Sequence, residues 1–205
     1  MYKEILTENQ IKLLPLLKSF QKDYFLVGGT AIALQIGHRQ SIDFDLFTTS
    51  RVDSIQIKKK IQKHNYSFRV RHQAYDQFHI DVLDVKLTFF EYPYMLKADV
   101  LFEDYCRMPE LIDLAAMKCM ALGGRSKWKD YVDIYFLLKN HFSLKQISDR
   151  TTELFHREFN PKLLRQQLSY FKDINYEEEV VSLPGFERTK EDIMLFLTEV
   201  SLEPF

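Results

Sequence analysis

The chain is poor in the residues that mark unusual architectures. Only 6 glycines and 6 prolines occur in 205 residues, while 46% of the residues are hydrophobic and 28% charged, the profile of a globular protein rather than a disordered or fibrous one. Cysteine is scarcer still. Cys106 and Cys119 have no C-x-x-C spacing and no run of histidine beside them, so no thiolate metal site is expected and a reducing, cytoplasmic setting fits. No segment approaches the roughly 18 apolar residues that a membrane-spanning helix needs, and no membrane association is expected. The opening MYKEILTENQIKLL lacks the continuous apolar stretch and the small-residue cleavage site of a secretion signal. Nor does one sign of charge dominate. A net charge of -1 gives no global pull on phosphate polymers, so a nucleic-acid contact would have to come from a local patch.

At this length the chain has room for one large domain or two small ones with a real apolar core. The first half alternates helix-like and strand-like patterns, and everything after about residue 104 reads as helix. The expected division is a catalytic α/β domain over 1–103 and a helical domain over 104–205. Thr7, with Gln10 three residues later, has the form of a capping box, and Pro15 should interrupt the helix that it opens. Tyr24 to Val27 reads as a short buried strand, stopped by Gly28 and Gly29. Residues 30 to 36 then form a helix ended by Gly37. A basic helix over 53–64, strand-like runs near 66–71, 78–82 and 85–91, and helices near 110–122, 127–139, 143–157, 161–172 and 189–202 complete the pattern.

The informative segment is Ser41 to Phe47, SIDFDLF, which alternates polar and apolar side chains with period two. As a strand it places Asp43 and Asp45 on one face and Ile42, Phe44 and Leu46 on the packed one. Two like charges side by side need a cation to offset their repulsion, and oxygen donors point to Mg²⁺. Upstream, the Gly28-Gly29 turn leads into a helix N-terminus, where backbone N–H groups and the positive dipole end favour a phosphate. The Thr30 hydroxyl would add a donor, and the Arg39 guanidinium a planar fork. A phosphate cradle and a metal site are thus expected to face each other.

The segment FLVGGTAIALQIGHRQSIDFDLFT resembles the signature of polymerase-β-type nucleotidyltransferases: an apolar residue, two small residues, a gap, then Asp-apolar-Asp-apolar. Here the gap is residues 30 to 42. More narrowly, GGTAIAL, GHRQSIDFDLFT and VKLTFFEYPY are similar to the AbiEii/AbiGii nucleotidyltransferase toxins of abortive-infection and toxin-antitoxin systems. That resemblance covers residues 25 to 139 and weakens beyond. It implies an α/β (α+β) polymerase-β-like domain with a small mixed sheet, followed by a helical domain that completes the nucleotide site. It implies a Mg²⁺-dependent enzyme using a nucleoside triphosphate, with Asp43 and Asp45 as metal ligands. The acceptor would be an RNA end, such as tRNA, or a protein hydroxyl, and a cognate antitoxin protein would be a partner.

In the helical half, Lys118 shares an apolar stripe with Leu111, Leu114, Ala115 and Leu122, so it must snorkel outward or meet an anion. A triphosphate is one such anion. The following KWKDYVDIYFLL puts Asp130 and Asp133 on one helix face, and Lys-Asp-x-x-Asp is similar to the last motif of the same toxins. The resemblance implies that Lys118 touches nucleotide phosphates and that Asp130 orients it. The bland alternative is a surface helix in which Lys129 pairs with Asp133. One departure stands out: many polymerase-β relatives carry a third carboxylate where this chain offers Thr88, with Asp81 and Asp84 as poorer substitutes. A catalytically degenerate nucleotide-binding module, or a protein-interaction module, is therefore the alternative function. Lys58 to Lys60 with Arg69, Arg71 and His72 read as a solvated basic face, the histidines show no ligand spacing, and Phe89 to Tyr94 reads as core and turn rather than a base-stacking platform.

Overall fold

The computed structural model describes residues 1–204; Phe205, the last residue of the expected helical domain, lies outside them. The chain forms two compact units, the first spanning Met1–Glu110 and the second the residues from Leu111 onward. The division expected from the pattern falls at residue 103.

After a 3-10 turn at Lys3–Ile5, the first unit forms α1 (Glu8–Lys12) and α2 (Leu14–Phe20). Thr7 and Gln10 form a full capping box on α1, and Pro15 sits in the first turn of α2, where its missing N–H costs nothing. Next come β1 (Phe25–Val27), α3 (Gly28–Ile36), β2 (Phe44–Thr48) and α4 (Ser54–Lys63). Gly37 ends α3 in the left-handed conformation, and Asp53 caps α4 by accepting from the N–H groups of Ile55 and Gln56. Three strands follow, β3 (Arg69–Gln73), β4 (Gln77–Val82) and β5 (Val85–Glu91).

These make a five-stranded sheet in the order β1-β2-β5-β4-β3, parallel only between β2 and β5. One face is the core: Phe44, Leu46, Phe78, Ile80, Leu87 and Phe89 are all buried. The Phe20 ring of α2 meets Phe89 edge-on at 5.0 Å. Register therefore sends Asp45, Thr88 and His79 to the opposite face.

Two sequence expectations change here. Ile42 is 60% exposed rather than packed, because the ladder begins only at Phe44. Residues 100–108, partly assigned to helix, instead form the hairpin β6 (Val100–Phe102) and β7 (Cys106–Met108), which packs on β1 and α2. Phe102, Cys106 and Met108 are its buried anchors.

The second unit is helical: α5 (Leu111–Gly124), α6 (Trp128–Asn140), α7 (Leu144–Phe155), α8 (Pro161–Leu168) and α9 (Lys190–Leu202). Each starts within a few residues of the expected position. Ser143 with Gln146 forms a second capping box, and Asn160 and Thr189 cap α8 and α9. Tyr131, Phe136, Ile147, Leu168 and Leu197 lie at its core, each 2% exposed or less. No helix among the described residues is long and apolar enough to cross a membrane.

Candidate active site

The sheet unit builds its site where β1 turns into α3. The helix begins at Gly28 itself, two residues earlier than expected, with Val27 as an N-cap that makes no side-chain bond to the first turn. The first N–H groups of α3 thus lack a capping side chain. Gly28 has φ +72, a conformation L side chains rarely adopt, and a Cβ there would collide with the Asp45 Oδ2. That close approach explains the glycine physically: the carboxylate on β2 rests against the backbone at the helix start. The pairing of Val27 with Asp45 across β1 and β2 sets it there.

Gly29 serves a different neighbour, since a Cβ on it would strike Nη2 of Arg39. Arg39 is only 4% exposed and donates from Nη1 to the Gln40 carbonyl at 2.9 Å. It is a buried arm behind the glycine turn, not the open fork expected from the sequence. Thr30 departs further from expectation. Its hydroxyl, 2% exposed, bonds the Ser41 hydroxyl at 2.8 Å and the Asp43 carbonyl. The Thr30 side chain therefore ties the aspartate segment to α3 and is not directed at a phosphate; only its backbone N–H remains for that role.

Asp43 lies just before β2 and is half-buried, as is Asp45, whereas Phe44 and Leu46 are sealed in the core. The alternation keeps the Asp45 carboxylate off the packed face. Asp45 pairs in register with Thr88 of β5, and Thr88 with His79 of β4. Where a third carboxylate would be looked for, a hydroxyl stands. Asp81 is not a replacement, since it is held by Arg69 at 2.8 Å and Arg71 at 2.5 Å, and Asp84 sits in the β4–β5 turn with φ 62. His79, passed over in the sequence for want of ligand spacing, lies on the row of Asp45. Burial, then the charges of Lys86 and His72, lower its pKa from the ordinary histidine value, against a weaker opposing pull from Asp45. Only the strand register reveals it.

The helical unit has its own charged centre. Lys118 of α5, 4% exposed, bonds Asp130 at 2.6 Å and Asp133 at 2.9 Å, both from α6 and both fully buried. The anions that meet this lysine here are the two aspartates. Arg125 joins Asp130 at 2.9 Å from the solvent side. Burial works against the Asp130 charge, but Lys118 and Arg125 outweigh it and hold its carboxyl below the usual range. Lys129 pairs with Glu178 and Asp133 is buried, so the surface helix laced by Lys129 and Asp133 does not form. Cys106 and Cys119 are buried free thiols, each pushed up to about 12 by burial, which is inert cysteine rather than a nucleophile.

The family model described as nucleotidyl transferase AbiEii toxin, type IV TA system, matches residues 16–199. The chain belongs to the AbiEii nucleotidyltransferase toxin family. It is also 34% identical over 179 residues to an uncharacterized protein of Aquifex aeolicus (strain VF5), covering 82% of this chain and 84% of that one. Among solved structures, JHP933 from Helicobacter pylori is similar with a TM-score of 0.57 at 18% identity, over 96% of this chain and 91% of that one. MenT4, the nucleotidyltransferase toxin Rv2826c of Mycobacterium tuberculosis H37Rv, gives 0.60 at 11%, over 94% and 81%. At those identities the two structures speak for the fold. As an AbiEii family member the chain is a nucleotidyltransferase, and membership in a type IV toxin-antitoxin family implies an antitoxin counterpart and a nucleoside triphosphate substrate.

Proposed function

We propose that this protein transfers a nucleoside monophosphate from a nucleoside triphosphate to a hydroxyl acceptor, with Mg²⁺ held by Asp43 and Asp45. One observation carries the reading: the Asp45 carboxylate lies against Gly28 at the start of α3, so phosphates seated on that helix end would adjoin the acidic pair. The donor set fits the ion. Both side chains offer hard oxygen donors. Mg²⁺ is commonly bound by one or two carboxylates together with substrate phosphates, keeping water at its other positions. When bound it would act as a Lewis acid and offset the negative charge that develops during transfer.

The chain's own groups supply positioning. Backbone N–H groups of Gly28, Gly29 and Thr30 receive the β and γ phosphates, and Arg39 adds positive charge from behind Gly29. The acceptor hydroxyl attacks the α-phosphorus in line, and pyrophosphate departs. In a toxin the acceptor is an RNA end, tRNA included, or a protein hydroxyl whose modification halts growth, until the antitoxin counters it. A second reading has its own support: with Thr88 opposite Asp45, the site would bind triphosphate and Mg²⁺ without transfer.

The test is to incubate the purified protein with each α-labelled nucleoside triphosphate, Mg²⁺ and a mixture of cellular RNA and protein. Label should move to an acceptor. The double variant Asp43→Ala, Asp45→Ala should lose transfer by at least about a hundredfold while keeping the wild-type circular dichroism spectrum. Transfer at the wild-type rate in that variant overturns the proposal, and triphosphate binding without pyrophosphate release favours the second reading.

A further inference from the structure

The sheet face that bears Asp45 bears more than acids. One row across β2, β5, β4 and β3 reads Asp45, Thr88, His79, His72. The next row, two residues further along β2, reads Phe47, Phe90, Gln77. Beyond the end of β5, the N–H of Tyr92 donates to the Thr48 carbonyl at 2.7 Å and extends the pairing. The rings form a continuous strip: Phe47 to Phe90 at 5.2 Å, Phe47 to Tyr92 at 5.0 Å, and Tyr92 to Tyr94 at 5.2 Å. All four are half-exposed, whereas neighbouring Phe89 on the core face is fully buried. A core explains Phe89; it does not explain a half-open aromatic strip beginning two residues from Asp45.

Two further features mark this face. The Thr88 Oγ1 and the His79 Nε2 are shut off from solvent with no hydrogen-bond partner. Each orphaned group costs about 1–3 kcal/mol that a ligand would recover. Half-open aromatic faces beside unfilled hydrogen-bonding atoms are what single-stranded nucleic acid stacks on and bonds to.

Direction of attack selects the same face. In-line displacement needs the attacking and leaving oxygens on opposite sides of the phosphorus. The glycine turn lies on the β1 side of Asp45; with the leaving phosphates seated there, as proposed above, the acceptor would arrive over β5 and β4. We infer that the Phe47–Phe90–Tyr92–Tyr94 strip stacks the unpaired bases of an RNA acceptor end, with Thr88 and His79 bonding its sugar hydroxyls. This deepens the nucleotidyl-transfer reading and rests on it; a protein hydroxyl is the competing acceptor.

Binding is measured without nucleotide, by fluorescence anisotropy of the full chain with a short labelled single-stranded RNA, the same RNA as a duplex, and a serine-rich peptide. The single strand should bind best. Phe90→Ala and Tyr92→Ala should each weaken it roughly tenfold, while Phe90→Trp retains affinity and thermal melting separates these effects from misfolding. Triphosphate binding should be unchanged in all three. Equal RNA affinity in wild type and both alanine variants overturns the inference, as does full-rate label transfer to protein by the alanine variants. Those failures leave nucleotidyl transfer standing. Failure of the transfer reading itself would appear instead in the Asp43, Asp45 test, with RNA binding intact.

Discussion

The sheet unit carries Asp43 and Asp45 two positions apart and the helical unit carries Asp130 and Asp133 three apart, and the two pairs differ in burial. The helical pair is fully buried and carries its cation in the chain, the Lys118 ammonium. The sheet pair is half-exposed, and the Asp45 carboxylate accepts no hydrogen bond from any described residue; it lies instead against a bare stretch of helix N-terminus. A charge sealed from water must be balanced permanently, because an unpaired buried ion is too costly to keep. One left at the surface can have its partner arrive with the substrate. Burial thus divides acids that fasten a fold from acids open enough to hold an exchangeable ion, the role proposed above for Asp43 and Asp45.

Removing the built-in cation should unbalance the buried pair. Lys118→Met should destabilise the helical unit by about 3–5 kcal/mol, the usual cost of breaking a buried pair from one side, measured by urea unfolding. Adding Asp130→Asn and Asp133→Asn should return much of the loss, since neutral amides need no counter-charge. If Lys118→Met costs under about 1 kcal/mol, the trio is not a fastening. Acid sharpens the same point. The Asp130 carboxyl titrates below its unfolded value, so its stabilisation is complete above about pH 4 and fades as the pH falls through the folded value. The wild-type melting temperature should therefore fall more steeply than that of Asp130→Asn between about pH 5 and pH 3.

Much of this is legible in the amino-acid order, and the pattern of what is not is physical. Local signals read true: the Thr7–Gln10 box, Gly37 as a left-handed stop, and the Phe44-Asp45-Leu46 alternation each depend on residues a few positions apart. Lys118 is recognisable as a cation in need of an anion, because an apolar stripe leaves an ammonium few options. What fails depends on register or on distant partners. Ile42 looks packed only if the alternation is extended past the point where pairing starts. The β6–β7 hairpin escapes notice because two three-residue strands around Glu103-Asp104-Tyr105 carry too little alternation to separate them from helix. The side chains of Thr30 and Arg39 suit a ligand by type, but the Thr30 hydroxyl bonds Ser41 and the Asp43 carbonyl, and Arg39 is buried and donates to the Gln40 carbonyl. His79 and the half-open Phe90 and Tyr92 emerge only once β5 is placed between β2 and β4.

Glycines test the comparison on its smallest scale. Gly28 combines positive φ with a carboxylate where a side chain would go, so Gly28→Ala should cost about 1–3 kcal/mol from backbone strain alone. It should also reduce transfer by displacing Asp45. Gly123, in the last turn of α5, has an ordinary helical backbone, and beyond that helix's own backbone no heavy atom lies within 4 Å of where a methyl carbon would stand. There the substitution restricts the unfolded chain and restores helix propensity, so Gly123→Ala should stabilise by roughly 0.5–1 kcal/mol. Urea midpoints moving in opposite directions would separate a glycine required by an active carboxylate from one that the helix merely tolerates. If both variants lose stability equally, the cost at Gly28 reflects helix packing in general, and the close approach of Asp45 no longer explains it.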